Sequence, residues 1–591
     1  MTFTTRPTLR GTFGMVASTH WIASSVGMSV LERGGNAFDA AVATGFVLHL
    51  VEPHLNGPGG DLPAIIVTAD EPRPRVLCAQ GPAPARATIE AFRGLGYDEI
   101  PGSGPLAAAV PGAVDGWLVL LRDHGTWTVG DVLAPAIAYA RDGAPMVERI
   151  GATVEAVREL FTRDWPTSAA QWLPGGRSPR GGEVVRNPVL ADTWERLVVE
   201  SRAGGGSREE QVERARRAWS QGFVAEAVDA FAQTPVPVDG VEQPFLLRGE
   251  DLAAYESTWE DALVGSFAGY EIAKTGPWGQ GPVLLEALGM LESLGGEALD
   301  VDTEVGAHSA VEALKLALAD REAWYGDAIE VPIETLTSRA YLAERARLIT
   351  DEASHEVRPG SPDGRIPRLS AHGTRLLGDE SADAGAGEPT VDASGRTRGD
   401  TCHIDIVDRW GNMISATPSG GWLQSSPIIP ALGFPLGSRL QMSWLEEGLA
   451  STLVPGRRPR TTLSPTLVLR DGRPFLACGT PGGDQQDQWQ LVFLLRVLAQ
   501  GMDLQQAIDA PSLHTLSAPG SFWPRRTEPG VVVVEDRMDD AILAGLRRRG
   551  HRVRLSDPWS LGRLSAVTRD VDGVMEAAAN PRGMQGYAVG R

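Results

Sequence analysis

The chain has 591 residues, 42% hydrophobic and 22% charged, which is the composition of a globular protein with room for several domains or one large layered one. Its net charge of −21 argues against a nucleic-acid partner, since two polyanions repel. No run approaches the ~20 apolar residues of a membrane span, and Met1 to Arg10 lacks an apolar signal core, so the expected location is the cytoplasm, with no membrane partner.

Helical periodicity over residues 24–33 places Val26, Met28, Val30 and Leu31 among the apolar positions, and Gly34-Gly35-Asn36 stops that helix. A second helix, rich in Ala and Val, is predicted from Ala37 to about Leu50. Asn56-Gly57-Pro58-Gly59-Gly60 predicts a tight loop, and Leu62 to Val67 a buried strand. The loop lacks the Lys-Ser/Thr pair of a phosphate-binding loop, so a turn serving backbone geometry is the simpler reading. Residues 105–255 read mostly as helices, with surface segments at 165–188 and 202–208, where Gly, Pro and Ser concentrate. Ala307 to Tyr325 predicts a strong helix ended by Gly326-Asp327. There is no internal repeat.

Residues 373–399 carry few large apolar side chains and are expected to be loose. After the Asp400–Thr401 bond the pattern changes. Cys402, Ile404 and Ile406 alternate with His403 and Asp405, which predicts a half-buried strand; Gly411-Asn412 turns it, and Met413 to Thr417 returns. This stretch fits a linker followed by a hairpin. It also fits an N-terminal nucleophile: cutting before Thr401 would free an α-amine, of pKa about 7.7–8.0, beside the Thr401 hydroxyl that it could activate.

Leu463 to Leu469 and Pro474 to Cys478 predict a second hairpin around Arg470-Asp471-Gly472-Arg473. Gly479-Thr480-Pro481-Gly482-Gly483-Asp484 follows, then a helix through Leu494 and Val497 that stops near Gly501. Consecutive glycines at a strand-to-helix junction leave N–H groups open to close approach, and such donors stabilise an oxyanion; a plain turn has the same signature. Arg547-Arg548-Arg549 before Gly550 reads as a helix C-terminus with its dipole compensated. Cys78, Cys402 and Cys478 are far apart, and no metal-spaced His/Cys cluster occurs, so neither a structural metal nor a cofactor is expected.

Together these pieces resemble the γ-glutamyltransferase (γ-glutamyltranspeptidase) family of N-terminal nucleophile hydrolases. The resemblance runs through Gly14-Met15-Val16-Ala17-Ser18, Gly34 to Val42, Glu312 to Ala317, Thr401-Cys402-His403, Asp408 to Asn412, Arg458 to Thr466 and Pro481-Gly482-Gly483. It implies an α/β (α+β) fold, a four-layer αββα sandwich. It implies a precursor cut at Asp400–Thr401 into a large subunit, 1–400 with a flexible tail from about 373, and a small subunit, 401–591, that stay associated; a dimer of such pairs is left open. By the same resemblance Thr401 is the nucleophile and Ser419 its hydroxyl partner. Gly482 and Gly483 supply oxyanion N–H groups, Thr461 and Thr462 match paired Ser residues that contact the substrate carboxylate, and Gln441 matches a residue that binds the substrate amine.

The sequence departs from the family at the amino-acid clamp. The Arg that grips the γ-glutamyl carboxylate falls on Gln80, the Asp that holds its amine falls on Trp444, and an Asn two residues after the hydroxyl partner becomes Gly421. Removing a charge-assisted hydrogen bond of this kind costs roughly 1.5–3 kcal/mol each time. Arg439 is either a replacement cation or a solvated loop residue. The expected activity is therefore acyl transfer from a small-molecule donor, not necessarily γ-glutamyl, to water or an amine. Relatives of this fold act on oxamate and cephalosporin side chains, and some antibiotic-pathway relatives break a C–C bond to remove an oxalyl unit. A true γ-glutamyltransferase/glutathione hydrolase, placing the enzyme in glutathione metabolism, is the alternative; an unprocessed, non-catalytic binding protein is the alternative of another class.

Overall fold

The structure is a computed structural model that describes residues 3–373, 401–525 and 527–591. Asp400 and the expected tail from 374 onward lie outside the described residues. Among those described, two large sheets stack face to face with helices on both outer faces. One sheet runs, edge to edge, through Leu9–Gly11, Met575–Ala579, Ser565–Arg569, Arg473–Gly479, Thr466–Arg470, Tyr270–Lys274 and Leu263–Phe267. The other runs through Tyr587–Gly590, Gly14–Ser18, Ile404–Asp408, Met413–Ala416, Gly60–Val67, Arg75–Ala79 and Thr258–Asp261, with Ser419–Gly420 also pairing on Gly60–Val67. This is the four-layer αββα sandwich.

Three apolar cores follow from the layers. One joins the helices Trp21–Glu32, Ala37–Val51 and Ala113–His124 to the outer face of the second sheet, through Val16, Leu62, Ile404 and Ile414. A second packs Pro282–Leu294 and Glu304–Trp324 on the first sheet, through Ile272, Val468 and Leu476. The third lies between the sheets, with Met15, Ile65, Val407, Leu467, Ala477 and Val567. Ala37–Val51 starts where expected because Asn36 and Asp39 form a capping box, each satisfying an N–H of the first turn. Every side chain of that helix is buried, so it is central rather than amphipathic.

The chain's two halves interleave. Ile404–Asp408 pairs with Gly14–Ser18 on one side and Met413–Ala416 on the other, and Met413–Ala416 pairs in turn with Gly60–Val67. Strands from beyond residue 400 thus sit inside a sheet built from strands before it.

Three expectations change. The strand after Thr401 is buried on both faces, because its polar face meets the other sheet instead of water. There His403 Nε2 lies 2.9 Å from Asp405 Oδ1, His403 Nδ1 3.0 Å from Thr417 Oγ1, and Ser565 Oγ donates to Asp405 at 2.7 Å. Burial is tolerated only because each polar group has a partner. Segment 165–188 is not all surface: Pro166–Trp172 is a helix with Pro at its first position, and Trp165 and Trp172 are buried. The hairpin strand expected from Leu463 begins at Thr466, since Pro465 has no N–H for the ladder. The helix Asp540–Arg548 ends at the arginine run as expected, and Arg548 and Arg549 also pair with Glu304.

Candidate active site

Thr401 opens the central hairpin. It forms an antiparallel bridge with Ser419, and Cys402 N donates to Pro418 O at 2.9 Å. The Thr401 and Ser419 hydroxyl oxygens stand 3.2 Å apart, both buried. The row continues across the sheet. Ser419 lies opposite Asp61, and the register of Leu62 on Ala79, carried one residue on, sets Asp61 opposite Gln80. Directly opposed residues of antiparallel strands share a face. Thr401, Ser419, Asp61 and Gln80 therefore form one polar row over neighbouring strands.

Asp61 was not singled out by the sequence. A lone acid at the head of an apolar strand, right after Gly59-Gly60, is the signal that could have found it. Arg439 holds it in a two-point ion pair, Nε to Oδ2 at 2.7 Å and Nη2 to Oδ1 at 3.0 Å. Arg439 is thus neither a solvated loop residue nor an uncompensated cation. Burial pushes the Asp61 carboxyl up while the Arg439 guanidinium pulls it back. The Gln80 carboxamide is near enough to steady the Asp61 charge, yet makes no hydrogen bond of good geometry. Asp61, Gln80 and Arg439 line a narrow cleft floored by Gly60 and Gly420.

Glycines allow the strands to close at this point. A Cβ on Gly60 would lie 2.0 Å from Ser419 O, and one on Gly57 would lie 2.2 Å from Gly421 O. Gly421 has φ +63° and would set a Cβ 2.8 Å from Gly60 N, so an Asn does not fit this backbone. Behind the row, Cys402 Sγ sits 3.0 Å from both Glu52 Oε2 and Asn56 Nδ2, and Thr19 Oγ1 donates to Glu52 at 2.5 Å.

The strand Arg473–Gly479 ends against the same hairpin. Ser415 Oγ donates to Cys478 O at 3.1 Å, and a Cβ on Gly479 would enter the His403 ring, 2.2 Å from Cε1. His403 is two residues from Thr401. The glycine loop leaves from there with φ +132° at Gly482 and +54° at Gly483, and the helix Gln486–Leu494 follows. A buried network fixes the loop. Asp484 pairs with Arg321 and accepts from Ser521 N at 2.8 Å; Arg321 also donates to Gln280 at 2.8 Å and to Pro519 O at 2.9 Å. Arg321 and Arg460 both reach Glu322 at 2.8 Å.

Of the remaining expected side chains, Gln441, Trp444 and Thr461 have structural partners. Both N–H groups of the Gln441 amide are taken up by Gly102 O at 2.9 Å and Ser438 at 3.1 Å, and its oxygen accepts from Trp523 N at 3.0 Å. These partners fix the amide's orientation, and its oxygen keeps a second lone pair. Trp444 is covered by the Arg525 guanidinium, 3.5 Å from the ring centroid. Arg525 donates to Gln441 O and, at 2.9 Å, to Ser443 O. Burial pushes it down to about 10, so it stays cationic at neutral pH. Sequence reasoning missed this cation, which lies 81 positions along the chain from Trp444. Thr461 Oγ1 accepts from Leu463 N at 3.3 Å, and the buried Thr462 Oγ1 has no protein partner.

Among the described residues the fold also assembles His308, Glu312 and His551, a grouping that sequence spacing did not reveal. Most of its donor atoms already have partners, His551 Nδ1 excepted. His308 Nδ1 is 2.8 Å from His551 Nε2, and Glu312 pairs with Lys315 and Arg358. All three cysteines are free and buried. No helix among the described residues is long and apolar enough to cross a membrane.

The sequence profile of the family described as Gamma-glutamyltranspeptidase matches residues 23–590. The chain is 28% identical to the glutathione hydrolase-like YwrD proenzyme of Bacillus subtilis (strain 168), covering 98% of this chain and 99% of that protein. It is 30% identical to the oxamate amidohydrolase proenzyme of Klebsiella pneumoniae, covering 97% of each. A solved structure of LmbA2991 superposes with a TM-score of 0.94 at 58% identity over the whole of both chains. With hydrolases and acyltransferases on every side, and with the fold to match, this chain is an enzyme of the γ-glutamyltranspeptidase family of N-terminal nucleophile hydrolases.

Proposed function

We propose that this enzyme forms an acyl-enzyme on Thr401 from a short, polar, non-γ-glutamyl donor and passes the acyl group to water or an amine. The observation that carries the nucleophile is the Thr401–Ser419 hydroxyl pair, 3.2 Å apart and buried at the first residue of the central hairpin. In the precursor, Thr401 Oγ attacks the Asp400 carbonyl carbon, the Thr401 amide nitrogen leaves with a proton, and water cleaves the resulting ester. The products are chains 1–400 and 401–591. They stay together because the second contributes interior strands to the first one's sheet.

In turnover, the freed α-amine of Thr401 takes the proton from Oγ as Oγ attacks the donor's carbonyl carbon. Ser419 orients the hydroxyl. The oxyanion forms against N–H groups of Gly482 and Gly483, and the leaving group departs with the proton. Water or an amine then attacks the Thr401 ester by the same route in reverse.

The choice of donor rests on charge. A γ-glutamyl group brings a carboxylate and an ammonium. The carboxylate would face the neutral Gln80, and Arg439 is already neutralised by Asp61. The ammonium would face Trp444 with the Arg525 cation stacked on it. A like charge where an anion is needed rejects the wrong substrate as well as failing to bind it. Among the relatives, oxamate amidohydrolase carries by name the kind of donor that fits, a dicarbonyl amide without an α-amine. The test is a substrate screen of processed protein with γ-glutamyl anilides, oxamate-type amides and N-acyl amino acids side by side. Preference for the oxamate type is expected; efficient glutathione hydrolysis, with kcat/KM of about 10⁴ M⁻¹s⁻¹ or more, would show that the donor is γ-glutamyl after all.

A further inference from the structure

The narrow cleft at the far end of the polar row is lined by one charged pair, Asp61 and Arg439, and Asp61 belongs to the row that begins at Thr401. Asp61 stands two strand steps from Thr401, about 9.6 Å between backbones, and Gln80 three steps away. Arg439 reaches in from the turn Arg439–Met442 and covers Asp61. It gives Nε and Nη2 to Asp61, while Nη1 meets only the weak acceptor Met442 Sδ, 3.5 Å away, among the described residues. Trp422 lies under the guanidinium, 5.7 Å from ring centroid to carbon, which limits its rotation. At the far end, both polar atoms of the Gln80 amide are buried without a hydrogen bond of good geometry, and Gln80 is 2% exposed. A buried amide without well-formed hydrogen bonds is costly, so a ligand that supplied them would be stabilised there, beyond the weak approach of the amide to Asp61. A Cβ on Gly420 would lie 3.3 Å from Asp61 Oδ1, so a side chain there would press on the pair.

We propose that the Asp61–Arg439 pair determines acyl specificity: it blocks the cleft beyond a two-carbon acyl group and, with Gln80, reads a second oxygen-bearing carbon next to the scissile carbonyl. The inference rests on the reading that Thr401 is acylated. The pair is neutral as a unit, so it attracts a carboxylate or amide oxygen by directed N–H donors rather than by net charge. A longer acyl chain must displace Arg439 from Asp61 and leave two charges buried apart, which is strongly unfavourable. Length discrimination therefore comes from the ion pair's rigidity, and affinity from Arg439 Nη1 and the Gln80 amide.

The test uses processed full-length enzyme and a length series: oxamate, malonamate and succinamate as donors by ammonia release, and oxalate, malonate and succinate as ligands by calorimetry. Wild type should lose at least tenfold in kcat/KM from the two-carbon to the four-carbon donor, and the diacid affinities should fall in the same order. The neutral double variant Asp61→Asn/Arg439→Met should lose about 100-fold on oxamate and under threefold on succinamate, flattening the series. Asp61→Asn alone frees the Arg439 charge and should tighten oxalate about tenfold; this variant serves also if the double variant does not fold. Equal losses on all lengths, or an unchanged length order in both variants, would overturn the proposal. Wild type that releases no ammonia yet binds the diacids in length order, with the order lost in the variants, refutes the acylation reading and keeps the pair's role. Ammonia release with a length order indifferent to the variants does the reverse.

Discussion

Gly60→Ala tests whether strand closure sets the nucleophile's geometry. The added Cβ would stand 2.0 Å from Ser419 O and 2.6 Å from Gly420 O, all backbone atoms that no side-chain rotation can move. Real Cβ contacts stay above about 3.0 Å, so the Ser419 strand must retreat by about 1 Å, and Ser419 Oγ moves with it. Overpacking of this size costs about 1–3 kcal/mol of stability. A displacement near 1 Å at a catalytic group costs about 10²-fold in rate. The assay is intact mass for self-cleavage, kcat for the best donor, and a thermal melt. The expected result is folded protein, modestly less stable, with cleavage or kcat down about 100-fold. Gly94→Ala is the control: nothing lies within 4 Å of its Cβ, so it should behave as wild type. If Gly60→Ala cleaves itself and turns over within threefold of wild type, the row does not set the nucleophile's position.

Thr401→Ala should remain one uncut chain, read by gel and mass. Ser419→Ala removes the 3.2 Å hydroxyl contact and should lower kcat about tenfold or more with little change in melting. Arg321→Met strands Asp484 in the network under the glycine loop; breaking such a buried pair costs about 3–5 kcal/mol, so a large drop in melting temperature or insoluble protein is expected. Acid should destabilise the fold well above carboxylate pH. Burial pushes His20, His49, His514 and His551 each down to about 3. Their folded pKa lies below the unfolded value of about 6.5, so the unfolded chain binds more protons between those limits. Stability is full above about pH 6.5 and falls as pH drops, by about 1.4 kcal/mol per pH unit for each histidine. Melting curves from pH 7.5 to 5 should reveal this; with His54 also held well below its ordinary value by burial, His49→Leu should flatten the slope by at most about a fifth.

The glycine turns and the hairpin that opens at Thr401 were legible in the sequence because each is local, and the layered fold was legible through the resemblance to the family. Thr401 follows a polar tract and opens an alternating strand, and the caps of Ala37–Val51 lie within three residues of its start. The cleft around Asp61 was not legible, for the opposite reason. Asp61 and Arg439 are 378 residues apart, and Trp444 gives no sign that Arg525 will cover it. Gln441 matched a family position by type, but the backbone groups that orient its amide, Gly102 O and Trp523 N, are distant in sequence. Half-burial of the central strand failed because alternation records polarity, and the partner of that polarity was a second sheet carrying Ser565 rather than water.

The central claim is that Thr401 becomes a free N-terminus and carries the acyl group. Acid-quenched intact mass spectrometry of purified enzyme, mixed with an oxamate-type donor, tests it in one step. The account predicts two chains divided at Asp400–Thr401, and on the smaller one a transient added mass equal to the acyl group, located on Thr401 by fragmentation. Active enzyme that stays a single uncut chain, or an adduct on any other residue, would contradict it.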